Sequence, residues 1–325
     1  MQAWICSEFA GTEALTWQTQ ATPEPGKGEV RVAIKAASLN FPDLLIVQGK
    51  YQMKPPLPFV PGAEFAGVVE AVGEGVKHLA VGTHVAGFAG TGGFGTHAVA
   101  PAYVLMPLPP VFSFEDAAAF LCTYGTTYHA LMDRAALKAG ETVLVLGAAG
   151  GVGTAAIQIA KAAGAKVIAA ASTDEKCALC SELGADATIN YTTQNLREAL
   201  KTLTEGKGPD VVYDPVGGEL TEQAFRSIAW RGRHLIIGFA NGPIPSLPLN
   251  LPLLKGASVM GVFWGEFAKR EPQNNAACLM QLAAWYMEGK IKPVIEHKLP
   301  MSQLKEAFAL MGSRQVRGKV VLVNG

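Results

Sequence analysis

A chain of 325 residues, 49% of them hydrophobic, has room for two domains, and its 27 basic and 27 acidic residues cancel. A neutral chain is not expected to bind nucleic acid or an anionic membrane surface, because both of these partners attract a basic excess. No apolar run reaches the roughly 18 residues that a membrane span needs. The five cysteines are an odd number and lack the spacing of a disulfide framework, which fits a reducing compartment, so we expect a cytoplasmic protein.

The first 120 residues are predicted to be almost entirely β-structure. Strand-like segments alternate there with turns rich in glycine and proline: Glu29–Ala37, Glu64–Val72, His84–Phe88 and Thr96–Ala100. A helix is predicted to begin at Phe114, because Ser113 is a typical N-cap residue and two acidic residues follow in the first turn.

From residue 121 to 289, apolar strands alternate with helical patterns. The six predicted strands are Thr142–Leu146, Ala165–Ala171, Ala187–Asn190, Asp210–Tyr213, His234–Ile237 and Ser258–Phe263. This alternation predicts an α/β domain with a doubly wound parallel sheet of six strands. The tail returns to a strand, a helix (Met301–Met311) and a last strand (Lys319–Val323), and it is predicted to complete the first domain. The predicted domains are therefore residues 1–120 with 290–325, and residues 121–289.

A glycine-rich turn follows the first of the six strands. Residues Ala148–Gly153 read Ala-Ala-Gly-Gly-Val-Gly, which is the GxGxxG pattern with alanine in its first glycine place. Without a Cβ at Gly150 and Gly153, a diphosphate can approach the backbone, and the helix predicted for Val152–Ala163 directs its first N–H groups at it. Because the flanking strand and helix have the right lengths, we predict that a dinucleotide pyrophosphate binds at Gly150, Gly151, Val152 and Gly153. The alternative is a turn that only packs the helix.

The end of the second strand indicates which dinucleotide binds. Enzymes that prefer NAD place an acidic residue there to accept a hydrogen bond from the ribose 2′-hydroxyl. This chain has Ser172 and Thr173 instead, with Lys176 four residues after Ser172 and Tyr191 after the next strand. Small hydroxyls leave room for a 2′-phosphate that Lys176 would neutralise, so the sequence favours NADPH. The alternative for Lys176 is a solvated lysine in the first turn of a helix.

Further segments spread over the whole chain carry a family resemblance: Leu39–Asp43 (LNFPD), Gln48–Tyr51 (QGKY), Pro61–Val69 (PGAEFAGVV), Thr126–Leu131 (TTYHAL), Leu183–Asp186 (LGAD) and Gly318–Leu322 (GKVVL). Together with the glycine turn, they resemble the medium-chain dehydrogenase/reductase superfamily, in its zinc-free quinone oxidoreductase (zeta-crystallin-like) branch. The resemblance implies a GroES-like β domain built from both chain ends, a Rossmann domain, and an active site in the cleft between them. Similar proteins pair the edge strand equivalent to Ser258–Phe263 across a two-fold axis, which implies a homodimer.

Zinc-dependent members of that superfamily have metal ligands that this chain lacks. They carry a His before a Glu and a Cys in an upstream loop, where this chain has Ala63 before Glu64 and the segment Asn40–Asp43. The six histidines do not supply the spacing of a catalytic zinc site, so we predict no metal. Without a Lewis acid, the expected acceptors are those that take hydride by conjugate addition, namely quinones and α,β-unsaturated carbonyls.

The resemblance also implies which residues surround the nicotinamide. Tyr51 occupies the place where similar enoyl reductases carry a tyrosine proposed as proton donor, and it would either donate a proton or contact the cofactor ribose. Asn40 would order the cofactor, and Thr126 would contact the carboxamide. The pocket would be lined by Phe239, Ala240, Asn241, Phe263 and Trp264, with Arg314 reaching over from the tail.

Three functions are compatible with these features. The first is a zinc-independent NADPH:quinone oxidoreductase. The second is an NADPH-dependent alkene reductase that acts on enals, enones or enoyl-CoA. The third is a catalytically silent crystallin-like or RNA-binding protein that binds NADPH, which the neutral charge disfavours.

Overall fold

The computed structural model describes residues 1–325, and the chain divides into two compact units. Unit 1 comprises Met1–Cys122 and Ile295–Gly325, and unit 2 comprises Thr123–Val294. Each unit contains one main β-sheet with its own hydrophobic core. None of the helices combines the length and the apolar composition that crossing a bilayer requires.

Among the regular elements in the N-terminal part of unit 1, strands outnumber helices, as the sequence predicts. This part contains β1 (Gln2–Ile5), β2 (Thr16–Thr19), β3 (Glu29–Ser38), α1 (Phe41–Val47), β4 (Glu64–Val72), β5 (His84–Phe88), β6 (His97–Pro101), β7 (Leu105–Pro107) and α2 (Phe114–Ala118). The Ser113 hydroxyl caps α2 by accepting from the Asp116 N–H at 3.1 Å. Helix α1 is absent from the sequence prediction. Its first turn is fixed by Asp43, whose carboxylate accepts from the backbone N–H of Asn40 at 2.8 Å.

The next segment, Leu121–Met287, alternates helices and strands. It contains α3 (Leu121–Tyr128), a π-helical segment (His129–Arg134), β8 (Thr142–Leu146), α4 (Gly151–Ala162), β9 (Lys166–Ala171), α5 (Asp174–Glu182), β10 (Ala187–Asn190), α6 (Leu196–Leu203), β11 (Val211–Asp214), α7 (Glu219–Ser227), β12 (Arg233–Ile236), α8 (Asn250–Lys255), β13 (Ser258–Gly261), α9 (Trp264–Arg270) and α10 (Pro272–Met287).

The six strands of unit 2 form one parallel sheet in the order β10-β9-β8-β11-β12-β13. This order confirms the predicted doubly wound α/β fold. Residues Val143–Leu146 of β8 are completely buried, which is why that strand reads as an unbroken apolar run. The strand order reverses between β8 and β11, and the crevice outside such a reversal is where open α/β sheets bind their ligands.

The tail of the chain returns to unit 1 as β14 (Ile295–Pro300), α11 (Leu304–Gly312) and β15 (Lys319–Val323). Unit 1 has a seven-stranded sheet in the order β14-β15-β3-β4-β5-β7, with β6 pairing to β3. Strand β15 is therefore an interior strand, held between β14 and β3. Aromatic residues from both parts of the chain meet in the core, where the Phe94 and Phe308 rings lie edge to face at 6.0 Å.

Candidate functional site

All six strands of the unit 2 sheet run in the same direction, so the loops after them emerge at one edge. The predicted unit 2 site residues follow these strand ends, apart from Thr126 in α3. Gly150–Gly153 follow β8, Ser172 and Lys176 follow β9, Tyr191 follows β10, Phe239–Asn241 follow β12, and Phe263 and Trp264 follow β13. The fold thus brings residues that are more than 100 positions apart in the sequence to the same edge.

The glycine turn after β8 forms the start of α4. The first helical hydrogen bond runs from the Thr154 N–H to the Gly150 carbonyl at 2.8 Å. The amides of Gly151, Val152 and Gly153 precede that bond and occupy the first turn, where N–H groups have no intrahelical acceptor. They form, with the helix dipole, an arrangement that fits a phosphate group.

Gly150 and Gly153 differ in whether the surrounding atoms leave room for a side chain. A Cβ at Gly153 would lie 2.4 Å from the Gly147 carbonyl oxygen, so glycine is needed there for α4 to pack close to β8. A Cβ at Gly150 would meet its nearest atom, the same carbonyl oxygen, only at 3.4 Å. Internal packing therefore does not require glycine at position 150, whereas close approach of a ligand to the turn does.

A hydroxyl and an ammonium group lie together at the end of β9. The Lys176 Nζ is 3.3 Å from the Ser172 Oγ, and the Thr173 hydroxyl caps α5 by accepting from the Lys176 N–H at 3.3 Å. Tyr191 is held beside this strand end, because its N–H donates to the Ala171 carbonyl at 3.0 Å. The nearby acid, Asp174, accepts from the Asn190 amide at 2.7 Å. The donors around Ser172 and Lys176 fit a 2′-phosphate.

Asp214, the last residue of β11, connects the loop after β11 with α7 and β12. Its carboxylate accepts from the N–H groups of Val216 and Gly217 at 2.9 Å each, from the Thr221 hydroxyl at 2.6 Å and from His234 Nε2 at 3.1 Å. Burial alone would raise the pKa of Asp214, but these hydrogen bonds, led by that of His234, outweigh burial and hold the pKa below its usual value.

The predicted nicotinamide-pocket residues Phe239, Ala240 and Asn241 lie in the loop after β12. Hydrogen bonds from Ala240 N to Pro215 O at 3.1 Å and from Asn241 N to Val216 O at 2.8 Å fix this loop beside the end of β11. The two loops therefore form one continuous wall at the carboxyl edge of the sheet.

The remaining unit 2 candidates are on α3 and at the end of β13. Trp264 is 5% exposed, and its indole packs on Gly125, where an added Cβ would lie 2.6 Å from the ring. That contact puts the tryptophan next to Thr126. Phe263 is 56% exposed, so its ring is much less enclosed than that of its neighbour.

In unit 1, the three predicted site residues have different environments. Tyr51 is half-buried, and burial raises the pKa of its phenol, with a further increase from nearby Cys122 and Asp43, so it keeps its proton at neutral pH. Asn40 is buried, and its amide donates to Glu64 Oε2 at 2.9 Å and accepts from Lys319 Nζ at 2.6 Å. Arg314 is exposed in the turn after α11.

The buried charges beside Asn40 are absent from the sequence prediction. Asp43, Glu64 and Lys319 are each at least 94% buried at one end of the unit 1 sheet. Burial raises the pKa of Asp43 to about 7, although its oxygens accept from the N–H groups of Asn40 and Ala63. The available signal is a charged residue at the start of an apolar strand, as in Glu64-Phe65-Ala66 and Lys319-Val320-Val321.

Comparison with known proteins decides the family. A profile described as "Alcohol dehydrogenase GroES-like domain" matches residues 26–110, and one described as "Zinc-binding dehydrogenase" matches residues 151–285. A protein of Nematostella vectensis named "Quinone oxidoreductase-like protein 2 homolog" is 40% identical over 99% of this chain and 88% of its own length. The chain belongs to the medium-chain dehydrogenase/reductase superfamily, in its quinone oxidoreductase branch. The predicted family and the GroES-like and Rossmann architecture are confirmed.

Solved structures of this superfamily match over the full chain. The quinone oxidoreductase of Escherichia coli, solved in complex with NADPH, superimposes with a TM-score of 0.93 at 30% identity, and all of both chains is covered. A structure described as an NAD-dependent alcohol dehydrogenase gives a TM-score of 0.91 at 34% identity with the same coverage. The medium-chain fold thus accommodates proteins described with different cofactors and substrates.

The zinc that one family profile names does not fit the residues of this medium-chain protein. No three His, Cys, Asp or Glu side chains are grouped so that they would hold a metal ion. Ala63 offers only a methyl group, and the amide of Asn40 is engaged with Glu64 and Lys319.

Proposed function

We propose that this protein is an NADPH-dependent oxidoreductase that transfers hydride to a quinone. The observation that carries the proposal is the pairing of Ser172 and Lys176 at the end of β9, 3.3 Å apart, where an NAD-preferring site would present an acidic residue. The glycine turn after β8 supports it, as does the full-length similarity to the Escherichia coli quinone oxidoreductase solved with NADPH.

The residues of unit 2 would divide the binding of the cofactor between them. The first-turn amides of Gly151–Gly153 would donate to the pyrophosphate, and Ser172, Lys176 and Tyr191 would surround the 2′-phosphate. Thr126 would contact the carboxamide, and the wall that includes Phe239–Asn241 would border the nicotinamide ring. NADPH, when bound, supplies the hydride that the reaction transfers.

A quinone suits a site that positions its reactants and contributes no acid. Conjugate addition of hydride leaves an oxygen anion that water can protonate, so orientation and electrostatics are the contributions required of the protein. The name of the Nematostella relative supports this acceptor class.

The state of Tyr51 favours a second candidate, the reduction of activated alkenes. An α,β-unsaturated carbonyl that accepts hydride at its β-carbon needs a proton at its α-carbon. The Tyr51 phenol carries a proton at neutral pH, as tyrosine ordinarily does, and burial raises its pKa further. It would therefore give that proton up only to a strong base such as the enolate carbon that hydride addition creates. In this proposal Tyr51 is the general acid.

We also propose that the protein is a homodimer. Strand β13 pairs only with β12, so its other edge is free, and Val259 on this strand is 47% exposed. The adjacent helix α8 contains Leu253 and Leu254, which are 79% and 68% exposed. An apolar sheet edge of this kind needs cover, and pairing with its own copy would supply it.

For location, we propose the cytoplasm. All five cysteines are free thiols, as expected of a protein in a reducing compartment.

NADPH oxidation followed at 340 nm tests the proposed function. The acceptors are 9,10-phenanthrenequinone, 1,4-benzoquinone, an alkenal and crotonyl-CoA, each measured with NADPH and with NADH. Turnover of the quinones with NADPH is the expected result. Turnover of only the alkenal or the thioester would identify an alkene reductase, and tight NADPH binding with no turnover would indicate a silent binding protein.

A further inference from the structure

A buried polar network, which we call the Glu64 cluster, consists of Ser38, Asn40, Asp43, Glu64 and Lys319. These residues come from the end of β3, the start of α1, the start of β4 and the start of β15. Their exposed fractions range from 0% to 6%. Burying a charge costs free energy unless the charge is paired and hydrogen-bonded. The presence of charged residues this deep in the fold therefore needs a reason other than contact with solvent.

The Glu64 carboxylate accepts hydrogen bonds from two parts of the chain. Its Oε2 accepts from the Ser38 hydroxyl at 3.0 Å and from the Asn40 amide at 2.9 Å, and its Oε1 accepts from the Cys122 N–H at 2.9 Å. Cys122 is in the first turn of α3, where N–H groups have no intrahelical acceptor. One side chain therefore fixes both the β3–α1 junction and the start of α3.

Lys319 completes the cluster from the last strand. Its ammonium donates to the Leu39 carbonyl at 2.7 Å and to Asn40 Oδ1 at 2.6 Å, and it lies 3.9 Å from Glu64 Oε2. The Asn40 amide thus bridges a cation and an anion, with its oxygen toward Lys319 and its nitrogen toward Glu64. This arrangement allows only one orientation of the amide.

Two segments that carry proposed site residues begin at this cluster. Helix α1 runs from the N-cap Asn40, and four residues after its end at Val47 the chain reaches Tyr51. The intervening turn is fixed by a hydrogen bond from Lys50 N to Leu45 O at 2.8 Å. In α3, Thr126 lies one turn after Cys122. A change in the cluster would therefore disturb the start of α1, which leads to Tyr51, and the start of α3, which contains Thr126.

We infer that Glu64 and Lys319 are positioning residues of the reaction, which orient the segments carrying Tyr51 and Thr126 without touching substrate or cofactor. This inference rests on the proposed oxidoreductase function. The expected consequence is a split in the kinetics. Because the pyrophosphate and 2′-phosphate contacts come from other residues, disturbing Glu64 should lower kcat more than it raises the KM for NADPH.

The hydrogen-bond pattern offers a test that does not depend on activity. In Glu64→Gln, the new amide nitrogen faces either the Asn40 amide nitrogen or the Cys122 N–H, because the two carboxylate oxygens accept from these two groups. Asn40→Asp places a carboxylate oxygen opposite the Glu64 carboxylate, so each single variant loses at least one bond. The double variant N40D/E64Q restores it, because the amide introduced at position 64 would donate to the carboxylate introduced at position 40, and Lys319 would still have an acceptor. Both changes are isosteric, so they leave the volume of the core unchanged.

We expect each single variant to lower the melting temperature by about 4–8 °C. The double variant should regain most of this loss. Additive losses in the double variant would show that the assigned contacts are wrong, whatever the enzyme's activity.

Steady-state kinetics with NADPH and 9,10-phenanthrenequinone, well below the melting temperature, test the positioning role. E64Q should lower kcat by about tenfold or more, since a misplacement of about 1 Å can cost up to a hundredfold in rate. The kcat of N40D/E64Q should be higher than that of E64Q. The matched control is Glu296→Gln, which removes a carboxylate that accepts from Arg317 elsewhere in unit 1 and should change stability alone.

Lower melting temperatures with unchanged kcat would reduce Glu64 to a purely structural residue and overturn the inference. A wild-type protein that turns over none of the four acceptors would instead count against the proposed function. The melting experiment would still decide whether the Glu64 cluster is correctly described.

Discussion

Lysine 176 offers the sharpest test of cofactor choice, because its ammonium would face a 2′-phosphate that NADH lacks. A charge-assisted hydrogen bond of this kind contributes about 1.5–3 kcal/mol. Lys176→Ala should therefore lower kcat/KM for NADPH by about 10–150-fold, at roughly 1.4 kcal/mol per factor of ten, mainly through KM. The value for NADH should stay nearly unchanged.

The assay is the steady-state oxidation of both cofactors at fixed quinone concentration, at low and at high salt. Salt should reduce the NADPH effect, since Lys176 is only partly buried and ions screen such a pair. The control is Lys166→Ala, an exposed lysine at the other end of β9, about 20 Å from Ser172 at roughly 3.3 Å per residue. Equal losses for NADPH and NADH would refute the assignment of the phosphate site.

Four further results are expected. Tyr51→Phe should lower the steady-state kcat for an alkenal about a hundredfold or more and leave quinone reduction unchanged. Equal alkenal rates in the variant and the wild type would show that the phenol is not the acid. Gly150→Ala should keep the melting temperature but weaken NADPH binding in a fluorescence titration, whereas Gly153→Ala should itself unfold at lower temperature, because its Cβ would lie 2.4 Å from a carbonyl oxygen. Leu253→Lys should convert a dimer to a monomer in light scattering, and a wild type that is already monomeric at micromolar concentration would contradict the proposed dimer. Since the pKa of Asp214 is depressed in the fold, its stabilising contribution is present above the unfolded pKa of about 4 and is lost as pH falls through the folded value. Asp214→Asn should thus be less stable at pH 7, by about 3 kcal/mol, and should lose this part of the acid dependence in denaturant titrations.

The strands were predictable wherever a β-branched run is bounded by turn residues. The predicted bounds of β4, β5, β8 and β10 coincide with those in the structure. Strand β13 is shorter than predicted, ending at Gly261 where the sequence favours Phe263, although a hydrogen bond from Val262 N to Ile236 O at 3.1 Å continues the pairing. The residue at which a strand ends depends on its pairing with the neighbouring strand, and the local sequence does not specify that pairing.

Contacts between distant residues explain what the sequence did not predict. Helix α1 has seven residues and begins Phe41-Pro42, so its local signal is weak. It is held by tertiary bonds, among them the one from Ala63 N to Asp43. The hydrogen-bond partners of Lys319 lie about 280 positions away, so a charged residue at the start of an apolar strand is the only local signal, and it does not reveal those partners.

For the candidate site, the sequence predicted the glycine turn and the residues around Ser172 because one βαβ unit contains both. The positions of Thr126, Phe239 and Trp264 came only from family resemblance. Their placement depends on the packing of α3 and on the loops held by Asp214, which no short segment encodes.

The interior position of β15 has a consequence for biosynthesis. Strand β3 cannot gain this neighbour until the ribosome has added about 280 further residues, which takes about 15–55 s at 5–20 residues per second. Unit 2 is complete only once Val294 has been added, late in that interval. Until β15 arrives, residues Ala36–Ser38 of β3 have unpaired backbone groups on one side, because β6 pairs there only with Glu29–Ala33. Truncated products that stop before residue 319 would keep that edge open permanently, and we expect chaperones to retain them or proteases to remove them.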